Sequence, residues 1–140
     1  MRGDDVVLML TSVGTEEQAL DIAHALVRLH FAACVNMIPS VRSIYRWKGK
    51  LCDDSEYLLI IKTLAREYPN VAATIRDLNS YELPEILSFS LRDADSRFCD
   101  WITATTEKPK PRGARKPARP AKAAAGAVSK RRKRVIQIAD

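Results

Sequence analysis

The sequence predicts an α+β domain with the element order β-α-β-β-α-β and one further helix after it. Three observations carry that prediction. Two β-rich runs meet at Lys48-Gly49 and make a long two-stranded unit of residues 33–63. Apolar residues recur at helical spacing on both sides of this unit. The strand segments 6–11 and 57–62 are apolar on both faces, as expected of buried sheet.

Taken in order, residues 6–11 (VVLMLT) form a near-continuous apolar strand. Thr15 opens the first helix, with Gln18 at capping-box spacing and Glu16 and Glu17 at the positive end of the helix dipole. Ala19, Ile22, Ala23, Leu26 and Leu29 make its apolar stripe. The hairpin follows. Its arms are each about a dozen residues, against roughly 5–6 for an ordinary strand, so their outer ends should project beyond a small domain. Pro39 cannot donate to a ladder, which predicts an edge, bulge or bend there.

A second helix is expected over residues 66–78, with Pro69 in its first turn and a stripe of Ala72, Ile75 and Leu78. Residues 79–84 read as a loop. Residues 85–91 alternate as a strand, Leu87, Phe89 and Leu91 on one side and Ser88 and Ser90 on the other. A last helix over residues 95–105 presents Phe98, Trp101 and Ile102. This order is the split β-α-β pattern of ferredoxin-like domains, whose helices cover one face of an antiparallel sheet.

The other face should then be polar in a monomer. Here Tyr57, Leu59 and Ile61 point one way while Leu58 and Ile60 point the other. Leaving such side chains wet forgoes roughly 1.5–3 kcal/mol each, and contiguous patches of this kind mark interfaces. A closed homo-oligomer, packed through the bare face and exchanging hairpin ends, is the expectation.

Charge divides the chain of 140 residues in two. Residues 1–106 carry 11 Lys and Arg against 15 Asp and Glu, a net of −4, and form the expected folded domain. Residues 107–140 carry 12 Lys and Arg against 2 acids, a net of +10, and are rich in Pro and Ala. That composition predicts a disordered basic tail. Its closing residues, VIQIAD, are apolar enough for a small docking strand. Nucleic acid or an acidic partner could bind through residues 108–134, although a solubilising extension is the plainer reading.

Cys34, Cys52 and Cys99 are widely spaced and include no C-x-x-C, so neither a disulfide framework nor a zinc pattern is indicated. His24 and His30 lie about 240° apart around the first helix and suit one metal poorly. No stretch approaches the ~20 apolar residues of a membrane span, and no signal-like start is evident. A cytoplasmic, non-membrane protein is expected. Phosphate-cradling Gly-rich loops, an H-E-x-x-H helix and a nucleophile elbow are all lacking, so no enzyme activity and no catalytic residues are expected.

Several separated blocks resemble the CutA family, the divalent-cation tolerance proteins. They are residues 29–39 (LHFAACVNMIP), 43–50 (SIYRWKGK), 56–63 (EYLLIIKT) and 81–86 (YELPEI), with the late Trp101-Ile102. The resemblance implies a ferredoxin-like subunit in a tight homotrimer. It also implies a role in tolerance of copper or other divalent cations, or a small-molecule regulatory role like that of the similar PII trimers. Glu56, Lys62, Tyr81 and Glu85 match family positions that look into a cleft between subunits, and Trp47 stands nearby. A ligand site and an interfacial ion-pair network are both open for them, the latter favoured. Tyr45 and Trp47 read as anchors for the arm or as a recognition platform. Where the family often has Cys or Pro near the end of the first strand, this chain has Val13 and Gly14. The family's His-Pro-Tyr before the last strand is Asn79-Ser80-Tyr81 here. Two metal donors are therefore missing.

Overall fold

The computed structural model describes residues 2–109. The basic segment and the VIQIAD end lie almost wholly outside these residues. The elements are β1 (Val6–Val13), α1 (Glu16–Arg28), β2 (Cys34–Trp47), β3 (Lys50–Leu64), a 3-10 turn (Ala65–Glu67), α2 (Tyr68–Leu78), β4 (Leu87–Ser90) and α3 (Ser96–Thr106). One four-stranded sheet runs β2-β3-β1-β4, with every neighbouring pair antiparallel. This is the expected ferredoxin-like order.

Helix α1 begins where its capping residue predicts. Thr15 is extended, and its hydroxyl accepts from the Gln18 N–H at 3.2 Å. The reciprocal half of the capping box is not made, because Gln18 Nε2 donates instead to Ser80 Oγ at 2.9 Å. At the other end His30 adopts φ 60, and the N–H groups of His30 and Phe31 bond to the Val27 and Leu26 carbonyls. That is a Schellman closure with a histidine in the left-handed position. The second helix differs from expectation at its start: residues 65–67 tighten into the 3-10 turn and α2 proper begins at Tyr68, with Pro69 in its first turn.

Strand alternation separates two layers. Val7, Met9, Val13, Leu59 and Ile61 point to the face covered by α1 and α2, where they pack with Ala19, Ile22, Leu26, Val71 and Ile75 into the main core. Full burial of such side chains supplies roughly 1.5–3 kcal/mol each. Helix α3 departs from the one-sided expectation. Its Ile102 packs with Leu64, Ala33 and Val6 across the foot of the opposite face. The rest of that face holds Leu8, Leu10, Leu58 and Ile60 with Leu87 and Phe89, as the ladder register requires. Leu87 and Phe89 are both 46% exposed. β4 is shorter than expected, at 4 residues, and its apolar side faces outward from the helix-bearing core.

The hairpin turns at Lys48 and Gly49, with φ of 47 and 76, the double positive φ of a type I′ turn. Pro39 marks a bulge, where two residues, Pro39 and Ser40, stand opposite the single Tyr57 between the Ile38↔Leu58 and Val41↔Glu56 pairs. Residues 44–51 are all exposed, so the outer arm projects as its length predicts. No helix among the described residues is long and apolar enough to cross a membrane.

Candidate functional site

The bulge decides which side chains reach the site. On β3, residues 56, 58, 60 and 62 share the open face by simple alternation. On β2 the same face holds Ile38, Asn36 and Cys34 inside the bulge, but Val41, Ser43, Tyr45 and Trp47 beyond it. One inserted residue therefore swings the odd-numbered outer positions onto the face that even-numbered ones occupy below. Tyr45 and Trp47 come to the side of the ribbon that carries Glu56 rather than to the opposite one.

The loop after α2 completes the site. Asn79 is buried, and its Nδ2 donates to the Ser12 carbonyl at 3.1 Å, while its Oδ1 accepts from the Tyr81 N–H at 2.9 Å. Tyr81 is thereby aimed across the end of β1, and its hydroxyl donates to Glu56 Oε2 at 2.7 Å. Gly14 lies directly beneath: a Cβ there would meet the Tyr81 hydroxyl at 3.1 Å. Asn79 and Gly14 thus meet through Tyr81. Asn79 supplies two neutral hydrogen bonds, and Gly14 leaves room for the phenol they position.

Val41, Tyr45, Trp47, Glu56, Tyr81 and Glu85 line an open cleft of about 570 Å³, whose rim also includes Ser12, Leu58, Glu82 and Leu83. Glu56 is only 6% exposed. Burial, then the hydrogen bond to Glu56, raises the Tyr81 phenol well above its ordinary range, so it stays a donor at neutral pH. Burial, then the charge of Glu56, raises the Glu85 carboxyl above its usual 4.5. Tyr45 donates to Asp54 at 2.5 Å, a bond that pushes its phenol up to about 12. Lys48 reaches Glu82 at 3.0 Å across the rim, with both side chains about two-thirds exposed. The cleft is therefore apolar and aromatic on its walls, with the buried Glu56 carboxyl at its floor and the exposed Glu82 and Glu85 nearer the solvent. It suits an organic cation or a zwitterion better than an anion.

Of the residues singled out from the sequence, Trp47, Glu56, Tyr81 and Glu85 come together. Lys62 does not join them within one chain. It lies six residues along β3 from Glu56, about 20 Å at the usual strand rise, with its Nζ 5.6 Å from the Phe98 ring of α3. Glu82, Leu83 and Asp54 were not anticipated. Asp54 is one diagonal from Tyr45 in a register that a two-residue turn dictates, so that pairing was legible in principle. The other two sit in a loop with no periodicity to read.

A metal fits a single chain poorly. Among the described residues no three His, Cys, Asp or Glu side chains converge as a metal-binding group. His30 is occupied by the Thr105 carbonyl, 3.0 Å from Nδ1, and the three cysteines are separate free thiols.

Comparison with known proteins bears on this geometry directly. Residues 7–105 match the family described as CutA1 divalent ion tolerance protein. The divalent-cation tolerance protein CutA of Thermus thermophilus is 37% identical over 99 residues, spanning 71% of this chain and 96% of that one. Protein CutA of Homo sapiens is 38% identical over 92 residues, 66% of this chain and 51% of the human protein, so the match spans about half of that longer relative. Among solved structures, the Cut A1 protein of Thermus thermophilus superposes with a TM-score of 0.71 at 36% identity, covering 73% of this chain and 99% of that one. CutA from Xylella fastidiosa gives 0.71 at 30% identity, covering 74% and 99%. The sheet order, the long bulged hairpin and the match across nearly all of the folded residues make this chain a member of the CutA1 divalent ion tolerance protein family.

Proposed function

We propose that the chain works as a non-enzymatic homotrimer of the divalent-cation tolerance type, responding to a metal ion or small ligand at clefts completed between subunits. The observation that carries this reading is the position of the cleft. It opens on the sheet face away from α1 and α2, at the root of a projecting arm, and Leu87 and Phe89 stand half-exposed on that same face. Packing copies through that face would bury the apolar patch, cover the arm and enclose the carboxylates together. Lys62 would meet Glu56 only if a neighbouring copy brought it there. A metal would likewise need donors from more than one chain, since the described residues of one chain do not assemble three. A small-molecule regulatory trimer of the PII kind uses the same cleft and differs only in ligand.

Light scattering of the full chain at micromolar concentration tests the assembly: a mass near three times the 15.7 kDa chain is expected. A monomer mass would overturn it. Calorimetric titration of Cu²⁺, Zn²⁺ and small organic cations and anions then tests the cleft. Saturable binding that Glu56→Gln abolishes supports it, and Glu56→Gln without effect on any binding event removes the cleft from the reading.

A further inference from the structure

The described lining of the cleft holds three carboxylates, Glu56, Glu82 and Glu85, and no Lys or Arg. Its aromatic walls are Tyr45, Trp47 and Tyr81. Both phenol protons are already spent, Tyr81 donating to Glu56 and Tyr45 to Asp54, so neither is offered to an anion. What stays open to a guest is aromatic surface and carboxylate oxygen, the two surfaces that attract an organic cation.

Two observations narrow that cation to an ammonium carrying N–H bonds. Glu56 is 6% exposed and gives one oxygen, Oε2, to Tyr81, while its other oxygen accepts no hydrogen bond among the described residues. A nearly buried carboxylate oxygen left without a donor calls for one. A quaternary ammonium has no N–H to give it. A guanidinium fork engages both oxygens of one carboxylate, and Tyr81 already holds one of these. A primary ammonium, a compact charge with three donors, meets a single open oxygen without disturbing the phenol.

The second observation lies at the rim, where the chain already holds such a group. The Lys48 ammonium is 3.0 Å from Glu82 Oε2 and 5.6 Å from the centre of the Trp47 ring, and both of these partners line the cleft. Tyr81 and Glu56 repeat the pairing of ring and carboxylate at the floor.

On the footing that this cleft is the protein's ligand site, we infer that it takes the primary ammonium end of a small aliphatic amine. Glu56 accepts the N–H at the floor, and the alkyl chain leaves beside Tyr45 and Trp47. Glu82 and Glu85, nearer the solvent, give a second ammonium its counter-charge, so a diamine binds more tightly than a monoamine.

Calorimetric titration of the full chain with butylamine and diaminobutane tests this, beside tetramethylammonium, ethylguanidinium, butyrate, Cu²⁺ and Zn²⁺. Saturable binding of both amines is expected, with diaminobutane the tighter and the other organic ions weaker. Glu56→Gln should weaken the amines by about 10–150-fold, the loss of a hydrogen bond to a charged group. Trp47→Leu, at the exposed rim, should weaken them about 2–30-fold and keeps the test open if the buried substitution unfolds the protein. An unchanged circular dichroism spectrum and solution mass confirm each variant intact. Amine binding that neither substitution changes overturns the proposal. So does tetramethylammonium bound as tightly as butylamine. Amine binding that appears only with Lys62→Met also overturns it, because a neighbouring copy's lysine then fills the floor of the natural protein. Glu56-dependent binding of butyrate, Cu²⁺ or Zn²⁺ without amine binding overturns the amine and leaves the cleft as a ligand site. No binding of any probe removes both.

Discussion

In the inner half of the hairpin, Leu59, Ile61 and Leu64 are completely buried; in the outer half, Ile44 and Leu51 are 66% and 72% exposed. The same two strands and an almost unbroken ladder run through both. Burial holds the inner half, with β1 on one side of β3 and helices on its face. The outer half has only its own ladder, a tight turn and exposed pairs such as Arg42 with Asp53 at 2.7 Å, which contribute little in water. An isolated two-stranded ribbon is marginal. The difference teaches that, among the described residues of one chain, the outer arm is held by its own ladder and turn and not by burial.

The largest effect should come from the inner half. Ile61→Ala removes a completely buried side chain and should lower the unfolding free energy by about 2–5 kcal/mol, read by urea denaturation at fixed protein concentration. Gly49→Ala comes next. Nothing lies within 4 Å of the added Cβ, so the cost is purely that of φ 76, about 1–2 kcal/mol. It should appear as faster hydrogen exchange confined to the arm. A smaller cost would mean that the arm is anchored well enough elsewhere to tolerate a different turn.

Tyr81→Phe removes the hydrogen bond to the buried Glu56 carboxyl and should cost about 1–3 kcal/mol. Adding Gly14→Ala to that variant should cost less than Gly14→Ala alone, because the contact at 3.1 Å is with the hydroxyl that Phe lacks. Additive losses in this double-mutant cycle would break the link between loop and strand. Ile44→Ser should leave an isolated chain almost unchanged, because the side chain is already largely in water. A marked fall in solution mass or melting temperature would show instead that another copy covers the arm.

The smallest expected effect is a pH dependence. The Glu85 carboxyl is raised in the folded state by burial and by Glu56. As pH climbs past 4.5, the unfolded chain releases this proton first and the native state retains it. Native protein then binds more protons, so stability falls as pH rises through that window. Glu85→Gln should flatten this part of the stability profile, and a carboxyl NMR titration of Glu85 above 4.5 checks the cause.

Much of this was legible in residues. The Thr15 cap, the place of Pro69 in a first helical turn and the Lys48-Gly49 turn each follow from local stereochemistry, and the structure keeps all three. The apolar alternation of residues 57–62 foretold a sheet with two apolar faces. Less was legible where long-range contacts compete with local ones. Gln18 abandons its capping box for Ser80, 62 residues away. Ile102 reads as an ordinary helix-stripe residue, yet α3 lies against the opposite face from α1 and α2 because Leu64 and Val6 leave an apolar foot uncovered there. Glu56, Lys62, Tyr81 and Glu85 all come from family blocks that look into a cleft between subunits, and within one chain Lys62 stands about 20 Å of strand away from Glu56.

Local chemistry by itself therefore determined the element order and the turn, and marked Pro39 as a point where the ladder is interrupted by an edge, a bulge or a bend. Those depend on φ preferences, missing donors and hydrophobic period, all of which act over a few residues. It did not determine which way the outer arm's side chains face. That orientation depends on one extra residue opposite Tyr57, and a slip of one inverts every position beyond it. Only the register against β3 placed the extra residue within Pro39-Ser40, and with it brought Tyr45 and Trp47 to the side of the ribbon that carries Glu56.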